Sequence, residues 1–269
     1  MTTTDADVAR SIAQGAGQLL LELRESFGVI DPDDRDRANE LRKAGDRASH
    51  EYIVAALAQA RPNDAVLSEE GADNASRLEA PRVWIVDPLD GTFEYGQHRA
   101  DFAVHIVLWD TTDGPRLAAG VVDLPAQGLT RSVLDTDTSL GELPNDRPIR
   151  VVASRSRPPA TLQQTVAHLA KALEDAGITD QGVEVVDVGS VGAKVNEILS
   201  GRAEAYIHDT GFYEWDVAAP LNVAHHYGLH AEHIDGSPVQ FNQMPPYVNN
   251  LVVARADLHG FVMDALRRS

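Results

Sequence analysis

Three acidic clusters stand where elements of this chain should end or begin: Ser68-Glu69-Glu70, Asp87-Pro88-Leu89-Asp90-Gly91-Thr92 and Trp215-Asp216. The middle cluster follows a buried-looking strand, Val83-Trp84-Ile85-Val86. Pro88 turns the chain after Asp87 and Asp90 soon emerges, so both carboxylates are able to face one point. Gly91 lets backbone approach a ligand closely. A helical turn opening at Thr92 presents N–H groups to an anion. Hard oxygen ligands beside such a site suit Mg²⁺ shared with a phosphate. Asp-Pro and Asp-Gly are also common turn dipeptides, so this cluster alone is equally compatible with a plain turn. Three clusters at separate element ends favour a site.

Composition narrows the partners. The 269 residues carry 23 Lys plus Arg against 41 Asp plus Glu, a net charge of −18. Such a surface repels nucleic-acid backbone and anionic lipid, so neither is expected to bind. A small anionic substrate stays compatible where cations are concentrated locally, and metal ions supply such cations. There is no cysteine, which excludes disulfides and thiolate metal sites. No apolar run approaches the ~18–20 residues of a membrane span. The first residues, Met1 to Asp5, lack the basic start and apolar stretch of a signal peptide. A cytoplasmic enzyme is the expectation.

The elements that must position the clusters follow from periodicity. Val8, Ile12, Leu19, Leu20, Leu23 and Phe27 predict a helix over 5–27, capped by Thr4 or Asp5. A charged loop over 31–37 follows, then a second helix over 46–60, with Asp46 as its cap and Pro62 as its stop. Strand-like runs cover 65–68, 82–86, 102–109, 116–123 and 130–134. The first half thus reads as two helices on an antiparallel sheet. The polar stretch 135–148 is the boundary between a domain over 1–140 and one over 141–269. Beyond it, strands at 149–153, 184–188, 203–208 and 251–254 alternate with helices over 161–176 and 190–200, near 215–226, and at the C-terminus. That alternation indicates a mixed α/β layer packed on the first half.

The middle cluster with its strand resembles the central signature of the inositol monophosphatase superfamily of Mg²⁺-dependent, lithium-sensitive phosphatases. Ser68-Glu69-Glu70 resembles the upstream acidic motif of that family. Trp215-Asp216-Val217-Ala218-Ala219-Pro220 resembles its C-terminal motif, where Pro220 stands at a position that is often Gly. The three occur in order and span nearly the whole chain. The resemblance implies an α/β class fold, α+β in its first half, layered αβαβα. It implies two or three Mg²⁺ ions: Glu69, Asp87 and the Leu89 carbonyl for the first, Asp87, Asp90 and Asp216 for the second. Glu69 would help to hold a weaker third. Asp46 and Thr92 would orient the attacking water, and the N–H groups of Gly91 and Thr92 the phosphate. The implied reaction is direct in-line hydrolysis of a phosphomonoester.

The second half carries the substrate clues. Asp187-Val188-Gly189-Ser190-Val191-Gly192-Ala193-Lys194 lies at a strand-to-helix junction where small residues admit a ligand. It resembles the CysQ-type branch, the 3′(2′),5′-bisphosphate nucleotidases, and points to Gly189, Ser190 and Lys194. Ser154-Arg155-Ser156-Arg157 also resembles that branch, with Ser154, Arg155 and Arg157 placed to grip a second phosphate. The bland alternatives are a capped helix with a surface lysine and a solvated basic loop. One departure stands out: Phe93 occupies a position where that branch commonly has Lys or Arg. The expected reaction is 3′-phosphoadenosine 5′-phosphate to AMP and phosphate. Alternatives are an inositol or other sugar or nucleoside monophosphate phosphatase, or a catalytically idle regulator. Relatives of this kind are often dimers, which makes a homodimer compatible with the sequence without fixing the oligomeric state.

Overall fold

Thr4 and Asp7 start the first helix. The Thr4 hydroxyl accepts from Asp7 N and the Asp7 carboxylate accepts from Thr4 N, a reciprocal cap that satisfies two otherwise orphaned donors. The computed structural model describes residues 3–269, so Met1 and Thr2 of the expected leaderless start lie outside the described residues. Helix α1 covers Asp5–Phe27 and α2 covers Arg35–Ala60.

The second helix begins earlier than the sequence reading placed it. Asp34 is its cap, accepting from Arg37 N at 3.0 Å, and Asp46 lies mid-helix. Of the charged residues 31–37 expected to form a loop, Arg35, Asp36 and Arg37 form its first turn. Its buried stripe is Ala38, Leu41, Gly45, Ser49, Ile53 and Leu57. Small and polar residues make up half of that stripe, so the apolar period fades before Ile53 although the buried face is continuous.

The next elements form the first sheet: β1 (Ala65–Ser68), β2 (Arg82–Asp90), the short helix α3 (Thr92–Gly96), β3 (Ala103–Asp110), β4 (Arg116–Leu124) and β5 (Leu129–Ser132). Strand order is β1-β2-β3-β4-β5. The sheet is mixed rather than wholly antiparallel, because β1 pairs parallel with β2. The segment joining them carries a 3₁₀ turn at Ala75–Glu79 and returns the chain to the starting end, which a parallel pair requires.

The second half supplies β6 (Ile149–Ser154), α4 (Leu162–Asp175), β7 (Val183–Val188), α5 (Val191–Leu199), β8 (Ala205–His208), β9 (Phe212–Tyr213), α6 (Glu214–His226), β10 (His230–Glu232), β11 (Tyr247–Val248), β12 (Leu251–Ala254) and α7 (His259–Arg267), five of whose strands form the second sheet. Its order is β10-β12-β8-β6-β7, with β6 parallel to both β7 and β8. Strands β9 and β11 pair separately.

Side-chain alternation sorts the core into three clusters and the chain into five layers. Trp84 and Val86 face α1 and α2, with Leu20 and Leu41. Val83 and Ile85 face α5 and α6 in the middle, as do Val152 and Tyr206 of the second sheet. Ile149, Val151 and Ile207 face α4 and α7 on the far side. The order is helices, sheet, helices, sheet, helices. No helix among the described residues is long and apolar enough to cross a membrane.

Candidate active site

Polar residues from both sheets meet at the middle helical layer, among them Asp87, His105 and His208. Asp87 continues the face of Val83 and Ile85 and is fully buried. The register of β2 against β3 shifts between Asp87 and Asp90, so the strand bends there and presents both carboxylates. Asp87 Oδ1 accepts from Leu89 N at 3.0 Å, and Ser49 of α2 donates to the Pro88 carbonyl at 2.7 Å. These two bonds hold the turn. Gly91 has φ +85°, and a Cβ there would stand 3.0 Å from the Asp101 carbonyl and from Ser190 Cβ. A side chain has neither the dihedral nor the room. Thr92 Oγ1 donates to the Leu89 carbonyl at 3.0 Å and lies 3.4 Å from Asp46 Oδ1. Asp46 therefore reaches the site from the middle of α2.

Asp216 arrives from the first turn of α6, where its Oδ2 accepts from Tyr213 N at 2.7 Å. The start of that helix is pinned by fully buried Glu214, which accepts from the N–H groups of Asn242 and Gln243 at 2.7 Å each. Ligand atoms of Asp87, Asp90 and Asp216 all lie within 4.8 Å of one another. Glu69, at the exposed rim after β1, sets its carboxylate against Asp87.

Burial and mutual repulsion dominate the electrostatics. Burial, with Glu69, Asp90 and Asp216 adding to it, holds Asp87 well above the usual carboxylate range. Burial followed by the charges of Asp90 and Glu69 raises Asp216 to about 8. Glu69 and Asp46 are each raised to about 7, again by burial first and neighbouring acids second. Asp87 Oδ2 is buried without any hydrogen-bond partner. Converging buried carboxylates with an orphaned oxygen are costly unless a cation joins them. An all-oxygen donor set of this kind fits a hard divalent ion.

Beside the triad lies a cleft of about 490 Å³ bounded by both halves of the chain. Lys194 is buried on its wall, donates to the Gly189 carbonyl, and has its Nζ 5.4 Å from the Tyr206 ring centroid. Burial lowers its pKa to about 8 despite the attraction of Asp90, Glu94 and Asp216. Ser154, Arg155, Arg157 and Gly189 line the same cleft. Ser190 does not line it: its hydroxyl accepts from Ala193 N at 2.9 Å and caps α5. Arg155 lines it with its guanidinium engaged, donating to Glu94 at 2.8 Å and to Asp101 at 3.0 Å. Phe93 is exposed at the mouth, and the Arg42 guanidinium, one turn ahead of Asp46 on α2, lies 4.8 Å from its ring centroid.

Sequence reasoning passed over several residues gathered here. Tyr206 and His208 line the cleft from β8, and Tyr206 Oη and His208 Nδ1 are buried without partners. His105 of β3 sits behind Asp90. Each is a polar residue at a strand position that alternation assigns to the interior, and that mismatch was the available signal. Glu94 and Asp101 had none, since their partner Arg155 is distant in sequence.

The sequence pattern of the inositol monophosphatase family matches residues 2–268, nearly the whole chain. This chain belongs to the inositol monophosphatase family. It is 40% identical to the 3′-phosphoadenosine 5′-phosphate phosphatase of Mycobacterium leprae, over 98% of this chain and 94% of that protein. It is 27% identical to the 3′(2′),5′-bisphosphate nucleotidase CysQ of Shigella flexneri, over 90% of this chain and 96% of that one. The fold matches the crystal structure of CysQ from Bacteroides thetaiotaomicron with a TM-score of 0.71 at 24% identity, covering 94% and 97% of the two chains. The layered α/β fold expected from the motifs is thus the family fold.

Proposed function

We propose that this chain is a Mg²⁺-dependent phosphomonoester hydrolase that converts 3′-phosphoadenosine 5′-phosphate to AMP and inorganic phosphate. The observation that carries the reading is the placing of the acidic triad at one end of a cleft whose wall holds the cations Lys194 and Arg157. The mycobacterial relative's name points the same way.

Glu69, Asp87 and the Leu89 carbonyl would hold one ion and Asp87, Asp90 and Asp216 another. Bound there, Mg²⁺ supplies positive charge for the reacting phosphate and lowers the pKa of water. The remaining work falls to the chain. Thr92 Oγ1 and Asp46 orient the attacking water, and Asp46, with its pKa raised to about 7 by burial and by Glu70 and Glu69, is able to take up a proton near neutrality. Backbone N–H groups after Gly91 face the reacting phosphate. Lys194 and Arg157 take the second phosphate, and the unpartnered Tyr206 Oη and His208 Nδ1 take polar groups of the nucleoside. In this reading residues 1–140 bind metal, while residues 141–269 bind substrate and complete the centre with Asp216. A homodimeric assembly and a cytoplasmic setting belong to the proposal on the strength of the resemblance.

The decisive assay is phosphate release with Mg²⁺ from 3′-phosphoadenosine 5′-phosphate, AMP and inositol 1-phosphate at matched concentrations. The bisphosphate is expected to give the highest kcat/KM by at least about tenfold, the worth of one extra charged contact. A second reading, a sugar or nucleoside monophosphate phosphatase, is favoured by the engagement of Arg155 with two carboxylates and by Phe93 at the cleft mouth. Preference for inositol 1-phosphate or AMP would establish it instead.

Lys194→Ala separates the two readings again. Its KM for the bisphosphate should rise about tenfold or more, with a change under about threefold for a monophosphate, because the lost contact is to the remote phosphate. Equal changes on both substrates would exclude that role for Lys194.

A further inference from the structure

His105 is a polar residue set in an otherwise apolar run of strand. It lies inside β3 between Val104 and Ile106 and is fully buried. Strand alternation turns it, with Ala103 and Val107, towards the middle helical layer. Its Nε2 stands 3.3 Å from Asp90 Oδ2, and its Nδ1 stands 3.4 Å from the carbonyl of Trp215, the residue before Asp216. The ring therefore touches both elements that deliver carboxylates to the centre, the end of β2 and the start of α6. Helix α5 closes over it: a Cβ on Gly192 would lie 2.4 Å from His105 Nε2, so only glycine admits the helix at this height. Gly192 N in turn donates to the same Asp90 Oδ2 at 3.1 Å. As it stands Nε2 makes no hydrogen bond, although the Asp90 carboxylate is beside it, and a buried ring nitrogen without a partner is destabilising.

We propose that His105 is a positioning residue of the metal centre: with its proton on Nε2, a small turn of the ring lets it donate to Asp90 Oδ2, 3.3 Å away, while the ring packs against the start of α6. Ionised to hold a cation, Asp87, Asp90 and Asp216 bring like charges within 4.8 Å of one another, with Asp87 and Asp90 buried, and they repel. A carboxylate on a single-bonded side chain would relieve that repulsion by rotating away. The imidazole and the Gly192 N–H hold one oxygen of Asp90 from behind, which leaves its other oxygen directed at the centre. Outer partners of this kind set ligand orientation and are commonly worth ~10–100-fold in metal affinity. The role rests on reading the triad as a metal centre.

The test is titration of the full chain with Mn²⁺ alone, followed by the electron paramagnetic resonance signal of the free ion. His105→Phe keeps the volume and loses the donor, whereas His105→Gln keeps an amide donor. Phe is expected to raise the Mn²⁺ Kd at least about tenfold, and Gln to restore it to within about threefold of wild type. The Mg²⁺ concentration for half-maximal turnover should move in parallel, with substrate KM at saturating Mg²⁺ unchanged. If Phe prevents folding, judged by circular dichroism, His105→Asn, whose amide stops short of Asp90, replaces it. Wild-type affinity in the donorless variant overturns the role of His105 while leaving the metal centre intact. Equal weakening by Phe and Gln also overturns it, because ring packing and not the donor would then matter. A wild-type chain that binds no Mn²⁺ overturns the metal centre and His105's role together.

Discussion

Asp90→Asn should lower kcat with Mg²⁺ by about 10³-fold, some 4 kcal/mol of lost transition-state stabilisation, while leaving the fold intact. Asn has nearly the volume of Asp, and its amide can stay beside Gly192 N and His105 Nε2, 3.1 and 3.3 Å from the present Oδ2. What changes is charge: one of three converging carboxylates becomes neutral and a poor ligand for a hard cation. The same substitution should raise the melting temperature of the metal-free protein, since Asp87 and Asp216 each lose a repelling neighbour. A variant more stable without metal and nearly inactive with it identifies the triad as a site built at the expense of stability. Turnover at the wild-type rate would refute the assigned centre.

The second large effect is on pH. Asp216 is raised to about 8 and Glu69 to about 7 in the metal-free protein, by burial first and by neighbouring acids second. A carboxylate whose folded pKa exceeds its unfolded value binds its proton more tightly in the folded state. Its stabilising contribution is complete below the ordinary carboxylate range near 4 and is lost as pH rises through 7 to 8. The metal-free protein should therefore melt at progressively lower temperature between pH 5 and pH 8.5. Mg²⁺ competes with those protons, so its affinity should climb by ~10²-fold or more from pH 6 to pH 8, about tenfold per unit for each proton displaced. Calorimetric scans with chelator and with Mg²⁺ across this range check both slopes, and the gap between the two curves should widen with pH. A flat or rising metal-free curve would mean that these carboxylates do not carry the strain assigned to them.

Much of this was legible along the chain because it rests on local chemistry. Asp87, Asp90, Gly91 and Thr92 lie within six consecutive residues, and a strand, a proline turn and a left-handed glycine dictate how they point. Helices α1 and α4 carry strong apolar stripes, and their bounds agree with expectation to within a residue. Where the stripe is made largely of Ala, Gly and Ser, as in the first half of α2, no apolar period marks the helix, and Asp46 reads as a cap although it lies mid-helix. The parallel pairing of β1 with β2 is illegible for a related reason: pairing direction depends on where the linker 69–81 travels, which no residue type encodes.

Residue types and spacing pointed to three acidic clusters and a mixed α/β layer, and the motifs' resemblance pointed to the family. Tertiary structure decided who stands beside whom across long separations. It set His105 of β3 behind Asp90, set Glu94 and Asp101 on Arg155, and turned Tyr206 and His208 into the cleft. The physical reason is that a carboxylate's capacity to bind metal is intrinsic to it, whereas its charge state, its orientation and the freedom of a neighbouring cation are properties of packing.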